Sequence, residues 1–533
     1  MGVILERNIS RRSEHSTFPR LDPAKGFALL TQMYPVSYAG VEHYTLFELL
    51  PTVTATHQSA RSGSSLERSK QEGDVSLTAK YGIISDLILD GTINPDFSQV
   101  ESDAGQVDVN LRFSLFYPEK RPFFLEGQDN FNLGASSSSF DPTIYYSRTI
   151  ADPLVGTRLT GKLGTANTIA ALYAVDNVLE SDRTTLGRYV HVPVLRYKRT
   201  LSDDSYIGLL YAGRELAESN NRVIGVDEQY RVSAGGVLES NAFASWATDN
   251  AAGSVITGYT YGLRFANSAR GLVTNFGFRD VSQDFRADMG FLTRTGVFSV
   301  DGFVSPRFYP QSNVFQRIEF EFGTRQTRDR FNSLWETSND VAFNLFFSGN
   351  WLFRTRFNYS TESFDARTFQ TSGVHSSLRG QLTKRVSASV LYRRLRSIYY
   401  PASEQGKSTV VSMGTTLQPT ENFQVEGSFT FADFHRDIDE LKVYDVSISR
   451  LKLTYQINQY VFVRGIGQFN DFRRELTTDL LASFTYIPGT AVYLGYGSVL
   501  DKVQWDGSSL VPSDSFLEVR RGLFLKMSYL WRS

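Results

Sequence analysis

The sequence contains no cysteine. That removes disulfide frameworks, thiolate nucleophiles and cysteine-based metal centres together. Proline is scarce, at 16 of 533 residues, and methionine numbers only 5, too few for the adaptable packing expected of a soluble core this rich in aromatics. No field of one charge sign exists: 55 basic residues face 56 acidic ones, for a net charge of −1. Nucleic acid is therefore excluded as a partner. No run approaches the ~18 apolar residues that a membrane helix needs, so a helical membrane protein is excluded. At the start, MGVILERNISRRSEHS, no apolar stretch of ~7–15 residues follows the arginines as a signal peptide requires. Arg11 and Arg12 run into Ser13-Glu14-His15 where a twin-arginine signal would turn apolar. Met1 is accordingly read as an internal or artificial start, with an export signal and a further domain expected upstream. The six histidines (His15, His43, His57, His191, His375 and His435) show no metal-ligand spacing. No metal or other cofactor is expected.

What the chain does have is Phe (40), Gly (41) and Tyr (27), spread evenly, with an apolar/polar alternation of period two, the mark of strands. In 351–360, Trp351, Phe353, Thr355, Phe357 and Tyr359 oppose Leu352, Arg354, Arg356, Asn358 and Ser360. In 317–325, Ile318, Phe320 and Phe322 oppose Arg317, Glu319, Glu321 and Arg325. Windows 74–83, 254–266 and 423–431 repeat the pattern. A sandwich of this many strands would need two huge packed sheets. A closed barrel in lipid needs only an apolar outer band and a lumen that accepts charge, and closure removes the edges a bilayer does not tolerate.

Turn signals support the same reading. They fall at Gly164-Thr165, Ser202-Asp203-Asp204, Asn267-Ser268, Gly349-Asn350, Thr383-Lys384, Pro419-Thr420-Glu421, Asn458-Gln459 and Pro488-Gly489. Longer polar connections are expected at 325–337, 360–370, 397–407, 433–441 and 500–515. The aromatic-rich last strand, through Leu523, Leu525, Met527, Tyr529 and Trp531, suits recognition by barrel-assembly machinery. The fold expected is all-β: a transmembrane antiparallel barrel of about 22–26 strands, spanning 46–533 after a pre-barrel segment 1–45, and located in the bacterial outer membrane among its lipids.

Residues 94–133 break the alternation. Pro118 and Pro122 bracket Glu119-Lys120-Arg121, and Phe123-Phe124-Leu125-Glu126-Gly127 follows. Facing lipid, Lys120 and Arg121 would each cost about 2–4 kcal/mol at mid-bilayer and the glutamates less, so the segment belongs in the lumen or at the periplasmic rim. It is an inward-folded constriction or closure turn on one reading, a plug or gate touching solute on a second, and a catalytic site on the third. The lumen or gate candidates are Asp96, Glu101, Arg112, Glu119, Lys120, Arg121 and Glu126. Arg317, Glu319, Glu321, Arg325, Arg354 and Arg356 form lumen-facing ladder candidates that would pair or filter solutes.

The strings NPDFSQVE (94–101) and FYPEKRPFFLEG (116–127) resemble the signature of the DUF5916 family of bacterial outer-membrane proteins, and ERNISRRSEHSTFPRLDP resembles that family's region before the barrel. The resemblance spans most of the chain and is specific in 5–30 and 94–131. It implies a barrel that commonly follows an N-terminal domain similar to family 9 carbohydrate-binding modules. This chain begins after that module's place, so its sugar binding does not carry over. The resemblance implies no agreed activity and no catalytic residues.

Enzyme motifs are weak. Gly156-Thr157-Arg158-Leu159-Thr160-Gly161-Lys162 has phosphate-loop spacing, but Leu163 follows instead of Ser or Thr, and the residues alternate as a strand. No G-x-S-x-G elbow occurs. His435 with Asp433, Asp437 and Asp439 reads as a solvated charge run on a loop. The expected function is a channel or transporter for small solutes, with oligosaccharides suggested by the family association. The rivals are a non-conducting anchor or scaffold for a missing module and, third, an outer-membrane hydrolase, for which no catalytic residue can be named.

Overall fold

The computed structural model describes residues 2–9, 14–21, 32–37, 39, 45–133, 142–178, 183, 187–202, 204–249 and 254–533. Arg11, Arg12, His43, Asp203 and much of the pre-barrel segment lie outside them. From Phe47 onward the chain forms one closed antiparallel barrel of 24 strands. Each strand pairs with its sequence neighbours, and the first, Phe47–Ser62, closes the cylinder against the last long strand, Leu510–Ser528. Trp531–Arg532 extends that seam to Leu49 and Glu48. The short strand Arg367–Gln370 doubles back on Thr361–Phe364 through a tight turn at Asp365-Ala366, both with positive φ (51° and 54°), as a two-residue hairpin of matching twist requires.

Alternation places the side chains as the period demands. Val53, Leu77, Leu195, Ile224, Phe322, Phe357 and Leu525 are exposed on the outside, while Thr54, Glu319, Glu321 and Lys526 are enclosed. In water that belt would be an apolar surface far beyond the few hundred Å² a monomer exposes; in a bilayer it is the lipid face. The chain is an outer-membrane β-barrel.

The expected loops at 325–337, 360–370, 397–407 and 500–515 are mostly strand, whereas at 433–441 the connection 437–441 follows the strand Phe423–Arg436. Phe315–Asp329 and Trp335–Phe347, for example, leave only 330–334 between them. Many strands run 13–20 residues, beyond the ~9–11 that cross a bilayer. Past the lipid both faces are wet, so apolar alternation fades although ladder hydrogen bonds continue. The turn expected at Asn267-Ser268 is likewise displaced, because the strand Ser254–Ser268 includes both residues. Gly156–Lys162 lies within the strand Pro153–Leu163.

Chain direction gives the barrel two distinct ends. One carries both barrel termini and turns such as 164–166 and 488–489. At the other end, two connections are long: 94–152, between Leu87–Ile93 and Pro153–Leu163, and 282–296, between Leu272–Val281 and Val297–Phe308. Both fold inward. The inward-folded segment thus extends past 133, and the sequence reading missed the second one. Packing confirms how closely the second lies on the wall. A Cβ on Gly258 of the wall would stand 2.3 Å from Phe285 Cα, and one on Gly290 would stand 2.1 Å from the carbonyl of Thr143 in the other inward segment. Where these segments pack, the wall turns apolar inside as well: Leu172, Val192, Val194 and Leu210 bury against Phe124, Ile144, Phe285 and Met289.

Candidate functional site

The 94–152 segment touches the barrel around most of its circumference. Its hydrogen-bond partners on the staves range from Thr54 and Lys526 through Gln468, Arg450 and Ile398 to Glu362, Arg158 and Lys80. In a closed cylinder only a segment crossing the lumen reaches staves so far apart. It does so in two lobes.

One lobe, of which 113–133 and 142–152 are described, is built on the FYPEKRPFFLEG string and is called 113–152. Pro118 and Pro122 cannot extend a ladder, and the short helix Pro122–Leu125 starts at the second. Glu119 and Arg121 form a buried knot. The Glu119 carboxylate accepts from the Arg121 backbone N–H (2.8 Å), Arg121 Nε (2.9 Å), Arg121 Nη2 (2.7 Å) and the Ser147 hydroxyl (2.6 Å). Arg121 also donates to the Ile150 and Ser147 carbonyls, at 2.6 and 2.8 Å, and lies 4.3 Å over the Phe124 ring. Burial alone would push the Glu119 carboxyl up. The hydrogen bonds from Arg121 and Ser147, with the Arg121 charge, outweigh it and hold the group down at about 2. The wall answers with Arg158, which is 2% exposed, pairs with Asp90 at 2.7 Å and donates to the Phe123 and Glu126 carbonyls. Glu126 is also held by Lys80 at 2.5 Å.

The lobe 96–112 is held differently: none of residues 94–112 is fully buried. Asp96 accepts from the Thr54 hydroxyl (2.5 Å) and pairs with Lys526 (3.2 Å). Glu101 faces three wall cations, Lys452 at 3.0 Å, Arg450 at 3.2 Å and Arg464 at 3.8 Å. Burial opposes ionisation of Glu101, but the Lys452 hydrogen bond and the charges of Lys452, Arg464 and Lys120 keep its carboxyl below the ordinary value. Asp103 joins the lobes through Lys120 (3.2 Å) and Arg148 (2.9 Å). At the far end Asp108 pairs with Arg473, Asn110 bonds Ile398 and Tyr400, and Arg112 pairs with Glu362.

All seven residues singled out in the 94–133 segment thus meet charged or polar partners within it or on the wall. Sequence reasoning missed the wall side of these contacts: Lys80, Asp90, Arg158, Glu362, Arg450, Lys452, Arg464 and Lys526. Their one signal was a fixed charge on the polar face of a strand. The ladder residues point inward. Glu319 meets Arg317 and Arg307, each at 2.8 Å, and Arg354 meets Glu321 at 2.6 Å. Arg356 stands 3.8 Å from Asp340, and Arg325 is registered opposite Asp301. These form local pairs, apart from the 94–112 contacts. In the DFHRDID run, Asp437 pairs with Arg396 at 2.6 Å and Asp439 with Arg436, while His435 Nδ1 stands 3.9 Å from Asp433.

Beneath the 96–112 lobe, toward the end with the termini, lies a cavity of about 940 Å³. Glu101 and Ala104 form its roof; Phe346, Trp351, Arg379, Gln381, Glu426 and Lys452 are among its walls.

No curated protein matches the sequence. Among solved structures, the ferric enterobactin receptor PfeA of Pseudomonas aeruginosa is similar at 8% identity and TM-score 0.46, over 90% of this chain and 81% of that one. The copper transporter OprC is similar at 11% identity and TM-score 0.45, over 90% and 80%. The siderophore receptor PiuA of Acinetobacter baumannii is similar at 8% identity and TM-score 0.40, over 92% and 82%. Residues 45–171, which hold the first strands and the whole 94–152 segment, match the family described as "Domain of unknown function (DUF5916)".

Proposed function

We propose that the barrel is a gated outer-membrane transporter for small polar solutes, with 96–112 as its movable closure and 113–152 plus 282–296 as a fixed filling. The observation that carries this reading is the contrast in how the lobes are held above a hollow of about 940 Å³. Ion pairs at a wet lumen wall are individually worth little and exchange readily with water, whereas a buried apolar core does not open in parts. The end with the barrel termini and tight turns faces the periplasm by the usual asymmetry of such barrels. The 96–112 lobe then blocks entry from outside, and the cavity opens inward. Phe346 and Trp351 beside Gln381 supply rings and amides of the kind that suit a sugar, which supports the oligosaccharide reading. The domain plan, with 1–45 leading from an upstream module into the barrel, belongs to the same proposal.

The test is single-channel recording of the refolded full chain in planar bilayers, against a variant in which 98–110 are replaced by a short Gly/Ser linker. Rare or small openings in the parent and stable large ones in the variant are expected. A folded, heat-modifiable variant that stays silent would sink the closure role and favour the anchor, for which the filled lumen flanked by the strands 153–281 already speaks.

A further inference from the structure

Three adjacent strands, Trp351–Phe364, Gly373–Thr383 and Val386–Tyr399, carry a dense group of basic side chains on their inner faces. Register sets Arg354 opposite Ser377, Arg356 opposite His375, and His375 opposite Arg393. Four residues along the same inner face, about 13 Å at strand rise, Arg379 lies opposite Leu352 and Ser389. The neighbouring strand Trp335–Phe347 and its partner Phe315–Asp329 answer this group with two carboxylates, Glu321 on Arg354 and Asp340 near Arg356. Arg379 and Arg393 have no ion pair and no hydrogen bond among the described residues. On the other side, Glu101 and Glu426 are already met by Lys452, at 3.0 and 3.3 Å. Two guanidiniums are thus left over, one in the cavity wall and one between the cavity and the Asn110 contact on the same strand at Ile398.

An unpaired guanidinium in a confined lumen is a fork of donors matched to a two-oxygen anion, and basic rings on a pore wall select anions. The surroundings suit the same ligand. Ser377, Ser387, Ser389, Ser412 and Thr416 lie on the inner faces beside these arginines, adding hydroxyl donors without bulk. We infer that this wall is an oxyanion-binding lane, so that the transported solute carries phosphate or carboxylate groups, with Arg379 and Arg393 as its two contact residues. The inference rests on the transporter reading for its physiological meaning, but the binding itself does not.

The experiment therefore has two independent arms, both on the refolded full chain. Inorganic pyrophosphate is titrated calorimetrically into the detergent-solubilised barrel, into Arg379→Gln/Arg393→Gln, and into Lys70→Gln as a rim control paired with Glu72. The double variant is expected to lose at least tenfold in affinity, Arg379→Lys to lose less, and Lys70→Gln to match the parent. Retained heat-modifiable mobility on gels shows that each variant is folded. Equal affinity in parent and double variant overturns the inference, as does no binding in both the parent and Glu101→Gln, whose closure is loosened. The second arm measures reversal potential in a KCl gradient. Anion preference that falls toward zero in the double variant supports the lane, and cation preference in the parent overturns it. If the chain conducts nothing, the transporter reading fails while the titration still decides the site.

Discussion

The 113–152 lobe and the 96–112 lobe enter the same lumen from the same end, yet the first buries Phe124, Phe131, Ile144 and Ile150 to between 0% and 5% exposure, and the second buries nothing fully. The first also contains the Glu119–Arg121 knot, whose hydrogen bonds to Ser147 and Ile150 all stay within the lobe. The second reaches outward to wall cations across partly wet space. Both are rich in charge, so charge density alone does not distinguish filling from closure. What distinguishes them is whether the central charges are satisfied within the lobe, over an apolar base, or by the wall and the other lobe. A lobe of the first kind moves as a unit or not at all. A lobe of the second kind can trade its partners for water.

The contrast breaks first at Arg121. Arg121→Ala leaves the Glu119 carboxylate buried with Ser147 and backbone donors only, and removing one member of a buried pair costs about 3–5 kcal/mol. Amide exchange in 113–152 should rise steeply in this variant while the barrel strands stay protected. Equal protection in variant and parent would show that the knot does not hold the lobe. Next comes Ile144→Ala. Its side chain is 2% exposed, and truncation of this kind costs about 2–5 kcal/mol. Exchange in 142–152 and 287–291 should rise together, because Thr143 bridges Phe291 and Tyr146 donates to the Met289 carbonyl. Separate responses would divide the fixed filling into two.

Glu101→Gln is a smaller perturbation, about 1 kcal/mol for a partly exposed set of ion pairs, and it should loosen 96–112 alone. Salt should mimic it: the screening length falls from about 10 Å at 0.1 M to about 3 Å at 1 M, and exchange in 96–112 should rise over that range while 113–152 holds. Acid separates the lobes in the same sense. Both carboxyls are depressed in the folded protein, so each contributes stability above the ordinary glutamate value of 4.5, and that stability is lost as pH falls through the folded value. For Glu119 the loss is complete only below about pH 2; Glu101 is depressed less. As pH falls, the 96–112 lobe should open before 113–152 does. Simultaneous opening would put the two under one control.

Much of this architecture was legible because a barrel wall is a local pattern: windows such as 351–360 state their two faces outright. The closed topology, the strand number and the inward fate of Glu119-Lys120-Arg121 followed from that pattern and from the cost of charge in lipid. The far boundary of the inward-folded segment did not, nor did 282–296, since a segment docked on a wall need not alternate at all. A trace was present. Strands Asn167–Asn177 and Ser205–Glu215 are apolar on both faces, with Ile207 and Leu209 outside and Leu172, Leu210 and Ala212 inside, and a lumen wall has no reason to be apolar unless something covers it. Partner identities such as Glu101 with Lys452, or Asp96 with Lys526, are separated by hundreds of residues and depend on the sheet's register, which no single window encodes.

The weakest contact offers the finest test of the comparison. Asp108 pairs with Arg473 at the far end, where the arginine side chain is 55% exposed. Two charges held in water gain little attraction and lose side-chain freedom, so the pair is worth less than about 0.5 kcal/mol. Asp108→Asn should leave exchange in both lobes, and the conductance, within error of the parent. If instead it opened 96–112 as far as Glu101→Gln does, the closure would be latched at its tip and not at the wall cations beneath it, and the three-cation grip on Glu101 would be a consequence of closing and no longer its cause.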